Sequence, residues 1–378
     1  MNISFFLDVK LIEENKLYYT SGAVDFDYLN RYKVTEEDHL TVVCRKQKQK
    51  EENTKKLALA SGENITFITA SSYKEIIKSK NIKKVVKESD LCYSKLPSII
   101  GLLSCKYINR YKKNQIVEVV GCPWDAMKNC GKITGKLLAP LLYIANKIYI
   151  KKAKNVIYVT NEFLQKRYPT KGKFIACSDV NIPLADSSIL KKRNEKIQNQ
   201  ISKVEFGLIG SLDIEYKGHK TAIKAMSKLK DNINFELHFL GPGNQKKWKK
   251  LAKKYNVEEN IKFDGTLPSG KKVFEWLDNI DIYLIPSYTE GLPRVLVEAM
   301  SRACPVIGSD VGGIPELIGK ECVFKKKNSE ELAKKILELL NNKDYMMQIA
   351  KKNYDKSKEF KNSILEKRRK NFIKSAIK

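Results

Sequence analysis

The chain has 378 residues, of which 42% are hydrophobic and 9% aromatic, a composition that supports packed cores and excludes an intrinsically disordered chain. Its length exceeds what a single hydrophobic core usually serves, so we expect two domains. The formal charge of +28, from 71 basic and 43 acidic residues, predicts attraction to an anionic partner. The eight cysteines form no CxxC pair, which favours reduced thiols over a disulfide framework.

The N-terminal half of the chain has the alternating pattern of a parallel sheet covered by helices. We predict strands at residues 3–7, 40–44, 65–69, 116–120, 156–159 and 174–176. No basic segment precedes the first of these strands, and its apolar run is too short for a signal peptide or a membrane span. We therefore expect a cytoplasmic protein.

Residues 133–150 form an apolar segment with few interruptions, and two interpretations of it remain open. One is a buried core helix. The other is a helix on a membrane surface, because lysine-rich surfaces beside apolar helices favour anionic leaflets. Charge alone does not decide between them, since lysine is abundant throughout the chain.

The C-terminal half repeats the α/β pattern more regularly. We predict strands at 204–210, 235–241, 261–264, 282–286 and 305–308, with helices at 219–229 and 246–255. Residues 186–203 are polar and charged without apolar periodicity, which indicates a linker. The predicted organisation is an N-terminal domain at 1–185, a linker at 186–203, a C-terminal domain at 204–355 and a basic C-terminal helix at 356–378.

Residues 290–300 read Glu-Gly-Leu-Pro-Arg-Val-Leu-Val-Glu-Ala-Met and predict the start of a ligand-binding helix. Pro293 suits the first helical turn, so the nearby backbone N–H groups would face an anionic ligand. Glu298 lies within an apolar helical run, where an unpaired carboxylate is costly, so ligand hydroxyls are a natural partner. The alternative is a glutamate that caps a neighbour or reaches the surface.

The block from residue 286 to residue 318 resembles the donor-binding signature of the family 4 retaining glycosyltransferases of GT-B fold, including two glutamates eight positions apart. The resemblance implies an α/β chain of two doubly wound Rossmann-like domains that face a central cleft. It also implies that the first domain binds the acceptor, that the second binds a nucleotide-sugar, and that the C-terminal helix crosses back to the first domain. Glu290 would hold hexose hydroxyls, and Glu298 the ribose diol.

Members of that family hold the donor diphosphate with an arginine soon after a strand and a lysine in a Lys-Gly pair. Lys217-Gly218 matches the second feature, but Ser211 stands at the place of the arginine, and Arg294 is the candidate substitute. The alternative for Lys217 is an ordinary exposed lysine. The resemblance also implies donor contacts from glycine loops and from the helix start after Glu290, namely Gly22, Gly210, Gly241, Gly265, Gly291, Leu292 and Pro293.

Trp124 and Asp125 follow the strand predicted at 116–120 and are the acceptor-binding candidates, because an aromatic face beside a carboxylate suits a sugar. A core tryptophan and a helix-capping aspartate are the alternative. Asp125 completes a candidate catalytic set with Lys217 and Glu290.

The resemblance implies front-face attack with retention of the anomeric configuration, in which a leaving phosphate oxygen takes the acceptor proton. This chemistry requires no protein nucleophile, and we expect no metal and no cofactor. Lys217 and the N–H groups of Gly291 and Leu292 would stabilise the charge that grows on the diphosphate.

The predicted function is transfer of a hexose-type sugar to a lipid-linked glycan acceptor in the synthesis of bacterial capsule, O-antigen or exopolysaccharide. The basic charge suits peripheral attachment to an anionic membrane at the inner face of the plasma membrane. A GT-B nucleotide-sugar epimerase is the first alternative, although it would need acid/base side chains near the sugar. A basic nucleic-acid-binding protein is the second, but the chain has no recognisable RNA-binding motif and we expect no nucleic acid partner.

Overall fold

The computed structural model of the protein describes residues 1–20, 24–47, 57–128, 133–180, 182–183, 186–199 and 202–377. The chain forms two compact α/β units. Unit 1 comprises Met1–Pro123, Pro140–Cys177 and Glu366–Lys378, and unit 2 comprises Trp124–Ala139 and Ser178–Leu365. Among the described residues, no helix is both long and apolar enough to cross a membrane.

In the described part of unit 1, nine strands form one sheet. Parallel pairing joins β5, β3, β1, β6, β7, β8 and β9 in that spatial order, and β2 and β4 extend β1 by antiparallel pairing. Phe5 and Phe6 of β1 are both fully buried, as expected for a central strand covered on both faces. The strands are β1 (Asn2–Glu14), β2 (Leu17–Thr20), β3 (His39–Gln47), β4 (Ala58–Leu59), β5 (Ile65–Ala70), β6 (Leu91–Leu96), β7 (Asn114–Val119), β8 (Asn155–Tyr158) and β9 (Lys173–Ala176).

Seven helices precede or connect these strands in the described chain: α1 (Phe26–Asn30), α2 (Tyr73–Lys78), α3 (Asn81–Glu88), α4 (Ile99–Tyr111), α5 (Pro123–Lys128), α6 (Ile133–Lys152) and α7 (Phe163–Arg167). Helix α3 shows why they form. Its buried residues Ile82, Val85 and Val86 recur at helical spacing and join the core beside β1 and β3. Helices α5 and α6 contain two of the four points at which the chain passes between the units.

Unit 2 is built on a fully parallel six-stranded sheet in the order β12-β11-β10-β13-β14-β15. The strand order reverses between β10 and β13, which is the position where open α/β sheets bind ligands at the carboxyl ends of their strands. The strands are β10 (Val204–Ile209), β11 (Phe235–Leu240), β12 (Ile261–Gly265), β13 (Ile282–Ile285), β14 (Val306–Ser309) and β15 (Val323–Phe324).

The remaining helices are α8 (Ser187–Asn199), α9 (His219–Ser227), α10 (Lys246–Lys254), α11 (Lys271–Asn279), α12 (Arg294–Ser301), α13 (Ile314–Leu317), α14 (Ser329–Leu340), α15 (Lys343–Ser357) and α16 (Asn362–Ile377). The strands and helices predicted between residues 204 and 286 are confirmed to within two residues at each end. The doubly wound α/β fold class is confirmed as well.

The linker predicted at 186–203 is wrong, because most of it is the helix α8 packed within unit 2. The inner face of α8 carries Ile197 and Arg193, both buried. The Arg193 guanidinium donates to the carbonyl oxygens of Leu277 and Arg302 at 3.0 and 3.3 Å, and Lys196 pairs with Asp281 at 2.8 Å. An arginine that satisfies buried carbonyls occupies a core position that apolar periodicity does not reveal.

The C-terminal segment differs from the single helix predicted at 356–378. Helix α15 ends at Ser357, a short 3₁₀ turn follows, and α16 begins at Asn362. From Glu366 onward α16 belongs to unit 1. It is held there by Arg369, which is buried and lies 2.9 Å from the buried carboxylate of Glu118 on β7.

Strand β6 was missed in the sequence, although it pairs with β1 on one side and β7 on the other. Its residues Ser94 and Lys95 interrupt the apolar run. Ser94 is fully buried, and its hydroxyl lies 2.8 Å from the Ser104 hydroxyl on α4. A hydrogen bond between two serines thus replaces an apolar contact at this position.

Candidate active site

Three predicted glycines meet where the adjacent strands β10, β11 and β12 end. Gly210 donates its N–H to the Leu240 carbonyl at 2.9 Å, and Gly241 donates to the Gly265 carbonyl at 2.7 Å. A Cβ atom at Gly241 would lie 2.2 Å from the Gly210 carbonyl oxygen. The loops after β10 and β11 therefore approach closely only because residue 241 has no side chain.

Gly218 places the side chain of Lys217. Residues Glu215–Lys217 form a 3₁₀ turn after β10, and Gly218 follows with a φ of +83°. A Cβ atom at Gly218 would lie 2.0 Å from the Pro286 carbonyl oxygen, at the end of β13. The Lys217 stem also packs on Gly210, where an added Cβ would lie 2.9 Å from Lys217 Cγ. Two glycines thus hold this lysine between β10 and β13.

Lys217 and Glu290, both predicted site residues, form an ion pair. The Lys217 Nζ atom lies 2.8 Å from Glu290 Oε1, and the Ser287 hydroxyl donates to the same oxygen at 2.7 Å. The Ser309 hydroxyl, at the end of β14, donates to the Ser287 carbonyl at 2.6 Å. Ser287 and Ser309 were missed in the sequence, because their contacts depend on the adjacency of β13 and β14.

The backbone at Glu290 and Gly291 rests on the Gly312-Gly313 pair. Gly312 has a φ of +59°, and a Cβ atom there would lie 2.1 Å from the Glu290 carbonyl oxygen. Gly313 donates its N–H to the Gly291 carbonyl at 2.7 Å. These contacts fix the loop that carries Glu290.

Helix α12 begins one residue later than Pro293, which corrects the predicted position of this proline. Pro293 has extended backbone and caps the helix, and its carbonyl accepts the N–H of Leu296 at 3.1 Å. The N–H groups of Gly291 and Leu292 have no acceptor within the part of the chain that the structure describes. They precede a helix N-terminus, and their role in binding an anion stays a prediction.

Glu298 is 8% exposed on α12 and accepts no side-chain hydrogen bond from any described residue. Burial raises the pKa of its carboxyl, and the nearby Arg294 opposes that rise. The fully buried Tyr283 on β13 is close to both glutamates: burial raises the pKa of its hydroxyl, and the charges of Glu298 and Glu290 raise it further. A buried carboxylate without an internal partner can accept ligand hydroxyls.

Ser211 occupies the first turn after β10 and does not supply a positive charge. Its carbonyl accepts the N–H of Ile214 at 3.1 Å. The neighbouring Asp213 was missed in the sequence: its carboxylate accepts the Asn244 N–H at 2.9 Å and a Cβ atom at Gly243 would touch it. Asp213 thus holds the loop after β11 against the loop after β10.

Gly22 lies outside the described residues. Trp124 and Asp125 lie in the first turn of α5, both partly exposed, with the Lys128 ammonium 5.8 Å from the centre of the Trp124 ring. The described contacts of Lys217 and Glu290 come from other loops, so the acceptor assignment of Trp124 and Asp125 stays a prediction.

His219, which follows Gly218, is a core residue. Its ring is fully buried, lies 5.0 Å from the Trp248 ring and meets the Phe239 ring edge-on at 4.9 Å. Burial lowers the pKa of His219 to about 4. The residue is therefore neutral at physiological pH and does not supply a charge beside Lys217.

One described group of side chains has metal-like spacing: Glu205, Glu236 and His238 have ligand atoms within 4.8 Å of one another. Lysines already neutralise it, since Lys203 Nζ lies 2.6 Å and Lys262 Nζ 3.2 Å from Glu236 oxygens. Glu205 precedes Gly210 by five strand residues, or roughly 16 Å at about 3.3 Å per residue. This group therefore lies at the other end of the sheet from Lys217.

A cavity of about 950 Å³ in unit 2 lies beside the Lys217 turn. Glu215, Thr221 and Tyr288 contribute to its wall, but the predicted donor-binding residues do not. The positive lining is expected to concentrate anions near the turn. It consists mainly of the lysines Lys220, Lys224, Lys247, Lys250, Lys253, Lys254 and Lys327.

Comparison with known proteins identifies relatives of this chain in sequence and in fold. The model of the family "Glycosyl transferases group 1" matches residues 191–356. Protein CapJ of Staphylococcus aureus is 35% identical over 345 residues, which cover 88% of this chain and 85% of CapJ. The amylovoran biosynthesis glycosyltransferase AmsK of Erwinia amylovora is 38% identical over 112 residues, which cover 28% of this chain and 27% of AmsK.

Among solved structures, Anabaena Alr3699/HepE in complex with UDP-glucose matches 99% of this chain and 100% of its own, with a TM-score of 0.68 and 15% identity. This likeness establishes the GT-B fold. Because the family model spans the loops that carry Lys217 and Glu290, and CapJ matches over most of both chains, the chain belongs to the glycosyltransferase group 1 family.

Proposed function

We propose that this glycosyltransferase moves a hexose-type sugar from a nucleotide-sugar to a glycan acceptor with retention of the anomeric configuration. The observation that carries the proposal is the Lys217–Glu290 ion pair together with the buried Glu298, which has no partner among the described residues. These groups stand at the strand ends where the order of the sheet reverses. A cation for phosphate and two carboxylates for hydroxyls match the chemistry of a nucleotide-sugar.

Donor binding exchanges the partners of this ion pair. The incoming diphosphate takes the Lys217 ammonium, which frees Glu290 Oε1 to accept hexose hydroxyls while the Ser287 hydroxyl still orients it. Glu298 accepts the two ribose hydroxyls. Each interaction satisfies a polar group that is otherwise incompletely paired.

Stabilisation of the departing diphosphate is electrostatic. Lys217 and the N–H groups of Gly291 and Leu292 face the same oxygens as negative charge grows on them. Arg294 at the start of α12 supplies the second positive side chain where Ser211 cannot. We propose that no metal or cofactor is required, because these groups supply the positive charge that a cation would bring.

The acceptor is a lipid-linked glycan of a bacterial surface polysaccharide, and Trp124 and Asp125 bind it. The relative AmsK is an amylovoran biosynthesis glycosyltransferase, which supports the polysaccharide class. The charge of +28 supports peripheral attachment to the anionic cytoplasmic face of the plasma membrane. No nucleic acid partner is invoked.

The test uses nuclease-treated protein and a panel of nucleotide-sugars. Thermal shift selects the donor, because a ligand that binds only the folded state raises the melting temperature. Release of nucleoside diphosphate is then measured with and without a lipid extract of bacterial membranes, and the anomeric configuration of the product is read by NMR. Acceptor-dependent release with retention is expected. Interconversion of the sugar without acceptor would instead identify an epimerase.

A further inference from the structure

Helix α6 presents an apolar stripe to solvent. Leu137, Leu141, Ile144 and Ile148 are 71, 65, 53 and 46% exposed. They recur every three or four residues, so they lie along one side of the helix. The opposite side is buried through Ala139, Asn146 and Ile150. The interpretation of this segment as a fully buried core helix is therefore wrong.

A basic cluster lies at the C-terminal end of the stripe. The segments 151–154 and 171–173 run side by side, because Lys171 and Lys173 donate their N–H groups to the carbonyls of Lys151 and Lys154 at 3.3 and 2.8 Å. Five exposed lysines thus share one surface, and none pairs with a carboxylate in the described chain. They are Lys151, Lys152, Lys154, Lys171 and Lys173.

We infer that the apolar stripe of α6 and this basic cluster dock the enzyme on an anionic phospholipid bilayer. The inference rests on the proposed function, in which the acceptor is linked to a membrane lipid. The stripe runs over twelve residues, or roughly 16 Å for eleven steps of about 1.5 Å each, so α6 lies in the plane of the interface. Its aliphatic side chains enter the acyl boundary, and the lysines reach the lipid phosphates.

The other occupant of an exposed apolar stripe is a second protein surface, including another copy of this chain. The charge of the basic cluster favours a lipid bilayer over a second protein surface. Five unpaired lysines beside the stripe would repel the same surface of a second copy, whereas an anionic leaflet neutralises them.

The experiment is co-sedimentation with vesicles of phosphatidylcholine alone or mixed with phosphatidylglycerol. The apolar variant is Leu141→Gln/Ile144→Gln/Ile148→Gln, and its control is Ile77→Gln on α2, where Ile77 is 55% exposed. The basic variant is Lys151→Gln/Lys152→Gln, and its control is Lys74→Gln/Lys78→Gln, which removes the same charge from α2. All replaced side chains are exposed, so unchanged melting temperatures are expected.

Wild type is expected to bind anionic vesicles more tightly than neutral ones. The apolar and basic variants should each lose at least about tenfold in partition coefficient, whereas both controls stay within about twofold of wild type. The second readout is the fluorescence of an introduced tryptophan. Lipids brominated in their acyl chains should quench this fluorescence in Leu141→Trp but not in Ile77→Trp.

The outcomes distinguish recruitment of the enzyme to a membrane from docking through α6. If wild type binds neither vesicle, membrane recruitment fails and the docking surface fails with it. If wild type binds anionic vesicles and the α6 variants bind equally well, recruitment stands and α6 is not the surface. A wild-type dimer that becomes monomeric in the apolar variant, with vesicle binding unchanged, would assign the stripe to self-association and overturn the inference.

Discussion

Lys217 Nζ and Glu290 Oε1 lie 2.8 Å apart, although 73 residues separate them in sequence. The lysine follows β10 and the glutamate follows β13, two strands that neighbour each other in the parallel sheet. Gly218 allows this contact, because a residue without a side chain can place its backbone against the Pro286 carbonyl. Each residue therefore satisfies the other in this structure, and the Lys217 charge is held where we propose that the donor diphosphate binds.

Replacement of Lys217 by alanine should depress turnover. Loss of one preorganised donor to the leaving group is expected to lower kcat by about 10² to 10³. Lys230→Ala, an exposed lysine after α9, is the matched charge control and should retain wild-type turnover. Steady-state release of nucleoside diphosphate provides the measurement, and a loss of less than about threefold in Lys217→Ala would remove the leaving-group role.

Gly218→Ala should destabilise unit 2 more than Gly265→Ala does. Both glycines have left-handed backbone, with φ of +83° and +71°, so both variants carry a strain of about 1 kcal/mol. Only at Gly218 would the new Cβ also meet backbone, 2.0 Å from the Pro286 oxygen, whereas nothing lies within 4 Å at Gly265.

We expect the free energy of unfolding of Gly218→Ala to fall by about 1–3 kcal/mol more than that of Gly265→Ala. Urea denaturation followed by circular dichroism makes the comparison. Equal losses in the two variants would show that the backbone at residue 218 can move away from β13.

His238 should make stability depend on pH between neutral and mildly alkaline conditions. Its Nδ1 and Nε2 atoms lie 3.0 and 2.8 Å from Asp264 and Glu205 oxygens. The hydrogen bond with Asp264, together with the charges of Asp264 and Glu205, raises the pKa of His238 above its usual value. The stabilisation is therefore fully present below about pH 6.5 and is lost as the pH rises through the raised pKa.

The check is the free energy of unfolding of wild type and His238→Gln at about pH 6 and about pH 9. The hydrogen bond between Lys203 and Glu236 raises the pKa of Lys203 and lowers the pKa of Glu236, so both keep their charges over this interval. Wild type should lose more stability than the variant on going to the higher pH. Parallel pH profiles would mean that another group controls this dependence.

Arg369→Ala should unfold unit 1 more easily, because it leaves the Glu118 carboxylate buried without its guanidinium. The two atoms of this pair lie 2.9 Å apart, and both side chains are at most 1% exposed. Loss of one partner from a buried ion pair costs about 3–5 kcal/mol. Since Lys95 lies 3.6 Å from Glu118, we expect the lower end of this range.

The double variant Arg369→Met/Glu118→Leu provides the contrast. It removes both charges, so its free energy of unfolding should exceed that of Arg369→Ala. A double variant as unstable as the single one would indicate that α16 is anchored by side-chain shape and not by the ion pair.

Local patterns predicted much of unit 2, because each parallel strand is a short apolar run and each helix has apolar spacing. Glu290 became a site candidate through its place before an apolar helix, whereas Lys217 did so only through the Lys-Gly pair of the family that the chain resembles. Local patterns could not predict Ser287, Tyr283 or Asp213, whose contacts arise from loops and strands distant in sequence.

The strands and helices of the N-terminal half, and of the region between the halves, were harder to predict for a related reason. Polar residues occupy core positions there when a partner elsewhere in the fold satisfies them, as Glu118 satisfies Arg369 and Ser104 satisfies Ser94. In α8, Arg193 plays the same part by donating to buried carbonyls. Hydrophobic periodicity treats all of these residues as exposed, so α8 and β6 were not predicted.

The central claim is that the loops around Lys217, Glu290 and Glu298 bind a nucleotide-sugar, and calorimetric titration tests it most directly. Uridine, guanosine, adenosine and thymidine diphosphates are titrated into wild type, and the tightest binder is then titrated into Glu298→Gln, Glu290→Gln and the control Lys230→Ala. We predict one site in wild type, at least about tenfold weaker binding in Glu298→Gln, and little change in Glu290→Gln, whose partner is the absent hexose. Unchanged affinity in a folded Glu298→Gln variant would contradict the account.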